Sequence, residues 1–444
     1  MCSSDLNGTW IGCTNNPLKL VQRFKLHRRT GSIDIYTSIY FNIKHNEVII
    51  FCDAGRPCRP LFYNVDYIPN ILRPNVFGKL FDGNFSWKEL IYGINYKNEE
   101  LNKIQWESKY WEKNTNKLKQ NSAIVEYIDS QEAEGIMLAT QQDRLDMGNR
   151  NILHFTHFEI HPSLILSFMA NQIIFPENNP YPRNAFSCGQ GKQGVSMYHT
   201  NFRNRVDKTT YLLNTGQTPL TKSRYYEYVT NSQHPYGLNA IVAVMCYSGY
   251  NVEDAVLINK ASLLRGMFST SYFNVYEAHE ENSKNSRKSR TEKRIMSILD
   301  NEVVGIKNGY DYSLLDPNTG LIKEGSIVND KTILIGKVVY EEGDDSYTDD
   351  SVSPKKGQIG VVDKSFITTD EEGIRVAKVR IRAARIPEIG DKFCSRAGQK
   401  GTIGIVLEEF DMPTSEDGIR PDIIVNPHAM PSRIDRKSTR LNSS

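Results

Sequence analysis

Residues 386–404, IPEIGDKFCSRAGQKGTIG, carry Lys392, Arg396 and Lys400 at strict four-residue spacing. On a helix that spacing would line three cations along one face. Gly390, Gly398, Gly401 and Gly404 crowd the same stretch and argue against a helix. They predict turns and a backbone suited to close approach. Working back toward Arg375, the run adds Arg375, Lys378, Arg380, Arg382 and Arg385, with only Glu388 and Asp391 in opposition. A run of cations is ordinarily a solvated face. Glycines that expose backbone N–H groups beside lysines that act as point charges favour a polyphosphate or nucleic-acid backbone instead.

The segment just upstream, GIRVAKVRIRAARIPEIG, alternates strictly: Lys378, Arg380 and Arg382 face one way, Ala377, Val379 and Ile381 the other. A half-buried strand with a cationic face is predicted. Further back, NAIVAVMCYSGYNVEDAVLINKAS reads as an apolar strand, a glycine turn and a second apolar strand. Its GYNVEDA puts Glu253 and Asp254 side by side. Adjacent carboxylates repel and need solvent or a cation to relieve them, and a hard divalent ion such as Mg²⁺ would serve. An exposed loop pair is the simpler reading of those two residues alone. NPHAMPSRI holds His428 and Arg433 in a proline-bracketed turn that cannot be a regular helix, and PRNAF gives Arg183 a similar setting. A rigid turn bearing one arginine suits bidentate phosphate recognition.

The bulk numbers set the frame. A chain of 444 residues is long enough for two to four domains. Hydrophobic residues at 39% and charged ones at 24% describe a globular protein, and a net charge of +2 leaves only clustering to indicate a partner. Seven cysteines, none in CxxC spacing, indicate neither a disulfide framework nor a zinc site and suit a reducing, intracellular setting. No apolar run approaches the roughly 20 residues of a membrane span, and no signal peptide is evident.

Elsewhere LKLVQRFKLHRRTG predicts a helix ending at Gly31, with a basic face of Lys19, Arg23, Lys25, Arg28 and Arg29. Strands are predicted in IDIYTSIYF and NEVIIFCD, and residues 64–120 show no clear periodicity. FTHFEIHPSLILSFMANQIIFP reads as a strand leading into a buried helix, and NPYPRNAFSCGQGKQ as a Pro- and Gly-rich loop. HEENSKNSRKSRTEKR and EEGDDSYTDDSVSPKKG read as solvated loops on a surface subdomain. CGQGKQG lacks the spacing of a P-loop, GQKGTIG is not GxGxxG, and His157 and His161 are read as packing or hydrogen-bonding residues. The polar, patternless ends, residues 1–6 and 435–444, are set aside as foreign translated sequence.

GYNVEDAVLINKAS, IPEIGDKFCSRAGQKGTIG and DGIRPDIIVNPHAMPSRI together resemble the second-largest subunit of multisubunit DNA-directed RNA polymerases, with support from FTHFEIHPSLILSFMANQIIFPENNPYPRN, NGTWIG, LHRRTGSIDIYTSIYF and FCDAGRPCRPLF. The likeness runs in the family's order over residues 7–434, and His428-Ala429 resembles its archaeal, eukaryotic and viral branch. It implies a multidomain, β-rich α+β fold: external-type α/β regions over 7–150, a hybrid-binding region over 151–270 and 373–434 built on a double-psi β-barrel, and a wall or flap insertion over 271–372. It implies that Asp254, with Glu253, helps hold a nucleotide-borne Mg²⁺ shared with the largest subunit. Lys392 and Lys400 would reach the RNA 3′ end and the incoming nucleotide, Arg183 and Arg433 the triphosphate, and Lys192 and Gln193 the RNA–DNA hybrid. Implied partners are the largest and smaller polymerase subunits, template DNA, nascent RNA and NTPs, in the nucleus or, for a viral chain, the virion and host cytoplasm. The family's protrusion, lobe and fork regions and its anchor, clamp and zinc site do not occur here, so an internal fragment is expected. The DFDGD-type motif of the catalytic metal belongs to the largest subunit and is absent from this sequence. The alternative from another class is a non-catalytic nucleic-acid-binding β-barrel paralogue.

Overall fold

The computed structural model describes residues 2–63, 86–92, 122–140, 155–199, 201–223, 225–230, 235–284, 290–298, 303–341, 346–370 and 372–429. They form two compact units, one drawn from residues 1–192, 221–233 and 396–398, the other from 193–220, 234–395 and 399–444.

The first unit begins with β1 (Cys2–Leu6), β2 (Thr9–Thr14), the helix α1 (Pro17–Arg29), β3 (Ser38–Asn42) and β4 (Glu47–Phe51). α1 starts where the Asn16 side chain accepts from the Lys19 N–H at 3.1 Å, with Pro17 in the first turn, where its missing N–H costs nothing. Leu20, Val21 and Phe24 pack on buried Cys2, Ile39, Val48 and Ile50. The sheet order is β2-β1-β4-β3. Residues 2–6, set aside on sequence grounds, thus form an inner strand of this sheet, antiparallel to β2 and parallel to β4. Residues 435–444 lie outside the described residues. The strand expected over 33–41 is shorter, because Ile33–Thr37 turn before β3 begins.

A second sheet, β6-β5-β8-β7, comprises β5 (Cys58–Tyr63), β6 (Val125–Asp129), β7 (Leu138–Ala139) and β8 (His157–Glu159). Of residues 64–120, only 86–92 are described, and Trp87–Tyr92 are helical. Part of the basic face of α1 is not solvated. Arg28, 2% exposed, grips Glu132 through two parallel bonds of 2.6 and 2.9 Å. Lys25 also reaches Glu132, at 2.9 Å, and Arg29 donates to Glu126. His157 Nε2 lies 2.9 Å from the second Glu126 oxygen, and Arg56 pairs with Asp129 at 2.6 Å. Burial alone would raise the pKa of Glu126, but Arg29 and Arg28 hold its carboxyl well below the usual range.

After β8 the expected buried helix is broken into a 3₁₀ turn (Pro162–Leu166) and one helical turn (Phe168–Asn171). Pro162 opens the first, and Ser167 at φ 87° and Phe175 at φ 47° bracket the second, so neither can extend into a longer helix. Leu166 and Phe175 are 64% and 66% exposed rather than buried. The expected Pro/Gly loop is instead a helix, α2 (Tyr181–Lys192). Pro182 is tolerated because it lies in the first turn. A Cβ on Gly191 would stand 2.0 Å from Met169 Cε, the far end of a flexible side chain.

The second unit is built of strands β9 (Thr209–Leu213), β10 (Val242–Val244), β11 (Ala255–Asn259), β12 (Thr270–His279), β13 (Glu281–Lys284), β14 (Arg290–Ile295), β15 (Val303–Val304), β16 (Ile327–Val328), β17 (Lys337–Glu341), β18 (Tyr347–Asp349), β19 (Gly360–Thr369), β20 (Arg375–Arg385), β21 (Lys392–Cys394), β22 (Lys400–Leu407) and β23 (Ile423–Val425). The three sheets run β16-β19-β20-β12-β9, β13-β14-β17-β18-β15 and β10-β23-β11-β22-β21. Within 279–294, read as a loop, β13 and β14 pair as a hairpin, and Tyr347–Asp349 of the acidic segment form β18. β20 alternates as predicted: Ala377, Val379 and Ile381 are fully buried, each Val or Ile contributing about 1.5–3 kcal/mol. Its cationic face is only partly open. Arg380 is 7% exposed, pairs with Asp363 and donates to the Arg205 carbonyl at 2.7 Å. β12 and β20 pair antiparallel from Thr270↔Arg385 to His279↔Val376, so the chain between them leaves and returns at one place. All seven cysteines are free thiols.

Candidate functional site

The four-residue spacing of Lys392, Arg396 and Lys400 resolves into a hairpin. β21 carries Lys392 and β22 begins at Lys400, joined by a loop at 395–399. Lys392 pairs with Thr402, and Cys394 with Lys400. Directly paired residues share a face of the sheet, so both lysines stand on the same side and are exposed. Phe393 and Ile403 point the other way, into a core with Val256, Ile258 and Leu263. Desolvation raises the Cys394 thiol pKa while the Lys400 charge pulls it down, and the net shift is upward. The thiol stays protonated at neutral pH and is no nucleophile.

On the other side of β22, Thr402 pairs with Ala255, the residue after Asp254. With neighbouring strands about 4.8 Å apart, Lys392 and Ala255 stand about 10 Å from each other across β22. The Thr402 N–H donates to the Asp254 carbonyl at 3.1 Å and fixes the end of the turn. Glu253 lies at φ 59°, a left-handed conformation that costs a non-glycine residue roughly 1–2 kcal/mol. Both carboxylate residues are exposed. Sheet and turn thus bring Lys392, Lys400, Glu253 and Asp254 onto one edge of one unit.

The glycines serve this packing. A Cβ on Gly401 would lie 3.0 Å from the Asp254 carbonyl oxygen, and one on Gly404 would lie 2.2 Å from that of Tyr250. One on Gly398, at φ 75°, would lie 2.6 Å from that of Arg183. Close approach was expected toward a ligand; at these three positions it is toward the chain's own backbone. Gly390 alone of the four meets nothing within 4 Å.

Arg183 is not in a loop but in the first turn of α2, where the helix dipole adds positive potential. Lys192 ends that helix, Gln193 comes directly after it, and both are exposed. His428 lies in a 3₁₀ turn (Pro427–Ala429), consistent with the excluded regular helix, and Arg433 lies outside the described residues. His157 and His161 are hydrogen-bonded, to Glu126 and to Ser163. One residue with no distinguishing mark in the sequence shapes the site. Thr402 locks the carboxylate turn, a role that only cross-strand register reveals. Arg396, nominated together with the two lysines, belongs to the first unit and faces protein there: it donates to the Thr221 carbonyl at 2.5 Å.

Glu253 and Asp254 offer hard oxygens, the donor type of Mg²⁺. Among the described residues no group of three or more His, Cys, Asp or Glu could hold a metal. Two carboxylates fit an Mg²⁺ that arrives with phosphate ligands and do not fit an ion held by these two residues alone. Also among the described residues, no helix is long and apolar enough to cross a membrane.

Residues 169–437, which contain this hairpin and turn, match the family model of RNA polymerase Rpb2, domain 6. The chain belongs to the RNA polymerase Rpb2 family. Residues 5–64 match a second model, RNA polymerase Rpb2, domain 4. Across 97% of its length the chain is 35% identical to the DNA-directed RNA polymerase II subunit RPB2 of Schizosaccharomyces pombe and 37% identical to that of Eremothecium gossypii. It is 33% identical, again over 97% of its length, to the DNA-directed RNA polymerase subunit Rpo2 of Sulfolobus acidocaldarius. It spans 37%, 36% and 35% of these three Rpb2 relatives respectively.

Proposed function

We propose that this chain is part of the second-largest subunit of a DNA-directed RNA polymerase and acts in template-directed RNA synthesis with the largest and smaller subunits. The observation that carries the reading is the register of Lys392 and Lys400 beside the Glu253–Asp254 turn, inside the domain 6 match. Nucleotidyl transfer joins the RNA 3′ oxygen to the α-phosphorus of an NTP and releases pyrophosphate. Negative charge grows on the phosphates as it proceeds, and preorganised cations at those oxygens lower the barrier. Lys392 and Lys400 are the cations assigned here. Arg183 and Arg433 would hold the triphosphate, and Lys192 and Gln193 the RNA–DNA hybrid. Glu253 and Asp254 would hold the Mg²⁺ that comes with the nucleotide, whose chemistry is charge neutralisation of the triphosphate.

We assign residues 151–270 and 373–434 to one hybrid-binding region with a double-psi β-barrel. In support, the sheet β10-β23-β11-β22-β21 draws strands from both segments. Residues 271–372 are assigned to a wall or flap insertion, which the β12/β20 pairing supports, and 7–150 to external-type regions. A non-catalytic nucleic-acid-binding paralogue is not favoured, because carboxylates beside the lysines would repel a phosphate backbone.

The test is single-nucleotide addition on a preassembled RNA–DNA scaffold by the assembled enzyme, titrated in nucleotide and in Mg²⁺. Lys392→Ala and Lys400→Ala should slow addition, and Asp254→Ala should be partly rescued by added Mg²⁺ where the lysine variants are not. Lysine variants that extend RNA at the parental rate, with only scaffold affinity reduced, would make these residues backbone binders and return the advantage to the paralogue. The chain alone, without the largest subunit, should incorporate no nucleotide.

A further inference from the structure

Arg396 belongs to the same four-residue series as Lys392 and Lys400, yet its guanidinium is used on protein. Nη2 donates to the Thr221 carbonyl at 2.5 Å and to the Thr221 hydroxyl at 3.1 Å, and Nη1 to the Gln172 carbonyl at 3.5 Å. With its side chain anchored at both points, the loop turns its own carbonyls toward α2. The Arg396 carbonyl accepts from Ser187 Oγ at 2.5 Å, and the Gly398 carbonyl from Arg183 Nη1 at 3.4 Å and from Gln190 Nε2 at 3.5 Å. Arg183, Ser187 and Gln190 are spaced i, i+4 and i+7, so one face of the helix meets the loop. The fit is backbone against backbone: a Cβ on Gly398 would stand 3.1 Å from the Ser187 nitrogen.

We infer that Arg396 is a positioning residue for Arg183. It clamps the 396–398 loop between Gln172 and Thr221, and the clamped loop fixes the first two turns of α2 and one arm of the Arg183 guanidinium. The other arm of Arg183 makes no hydrogen bond within the described residues and is left for a phosphate, with the Phe186 ring 5.5 Å from its Cζ. This inference rests on the proposed role of Arg183 at the triphosphate.

The experiment is a double-mutant cycle on the assembled polymerase, read as the nucleotide concentration for half-maximal single-nucleotide addition and as the maximal rate. Arg183→Ala removes a charged contact and should raise the half-maximal concentration by about tenfold or more. Arg396→Ala should raise it by roughly three- to tenfold at little cost in maximal rate, and Arg396→Lys, which can still reach one carbonyl, by less. In the Arg183→Ala background, Arg396→Ala should add nothing further. Ser187→Ala removes only the hydroxyl donated to the Arg396 carbonyl and gives the same reading where Arg396→Ala does not assemble. Full additivity in the Arg183→Ala background, or a loss confined to maximal rate, overturns the positioning role. An Arg183→Ala enzyme with parental nucleotide dependence overturns the triphosphate reading instead.

Discussion

The α1 segment around Arg28 and the β21–β22 hairpin around Lys400 look alike in sequence, each a short run rich in cations, and the fold treats them in opposite ways. In the first unit Arg28 and Arg29 are drawn down onto Glu126 and Glu132, carboxylates about a hundred residues away that are 3% and 1% exposed. In the second, Lys392 and Lys400 lie on the exposed face of a hairpin whose other face is core. The difference does not lie in the cations. It lies in whether the fold elsewhere supplies buried acids of matching geometry, as Glu126 on β6 and Glu132 in the short helical turn after it do for α1. A charged run therefore acquires meaning only from what the tertiary fold sets against it.

The largest effect that would break this contrast is on stability. Glu126→Gln leaves Arg29 against a neutral amide in a buried site, with Arg28 still held by Glu132, and should cost about 3–5 kcal/mol in urea unfolding of the chain. Lys400→Ala should stay within about 0.5 kcal/mol in the same assay. Comparable losses for both would erase the distinction between a structural and a functional cation cluster.

Activity should show the reverse order. In the assembled enzyme Lys392→Ala and Lys400→Ala should each lose roughly 10²–10³ in addition rate, the equivalent of about 2.7–4 kcal/mol of transition-state stabilisation. Stopped or quenched-flow addition on a scaffold measures it.

Between the two stands Gly404→Ala, whose Cβ would meet the Tyr250 carbonyl oxygen at 2.2 Å. It should destabilise the second unit by about 1–3 kcal/mol. No change in melting would return that glycine to a ligand-facing role.

A pH dependence separates two groups of the first unit. Burial and the Arg23 charge lower the folded His27 pKa from 6.5 to about 4. The unfolded chain then takes up the proton first, so stability falls as pH drops from about 6.5 to about 4. Glu126 and Asp129 are depressed, so their contribution is full above the unfolded carboxylate range and is lost only as pH falls below it, through their folded values. His27→Gln should flatten the upper window alone, and Glu126→Gln the lower.

Sequence patterning read best where periodicity was strict. α1 and the alternation of β20 were legible because each buries one regular face, and the strand–turn–strand around Glu253 because apolar runs flank a glycine turn, β11 being buried on both faces. α2 was not, because Pro182, Gly189 and Gly191 read as breakers, while the fold puts the proline in the first turn and carries both glycines within the helix. The α1 clamp was hidden for a related reason: Glu126, Asp129 and Glu132 carry no local sign of the cations they meet. At the site, Lys392, Lys400, Glu253 and Asp254 could be nominated from sequence, but their common edge arises from parallel and antiparallel pairings between segments about 150 residues apart. Arg396 could not be separated from its lysine neighbours, because spacing does not say that a hairpin tip turns one cation inward.

β20 lies between β12 and β19 for most of its length, and its inward side chains are fully buried. No fraying of an edge can expose its middle, so amide hydrogens from Ala377 to Ile381 should leave for solvent only when the sheet opens as a whole. In a deuterium-labelling time course these few positions would serve as the unit's clock. Every faster exchange elsewhere would report a partial opening, and theirs the opening of the whole sheet.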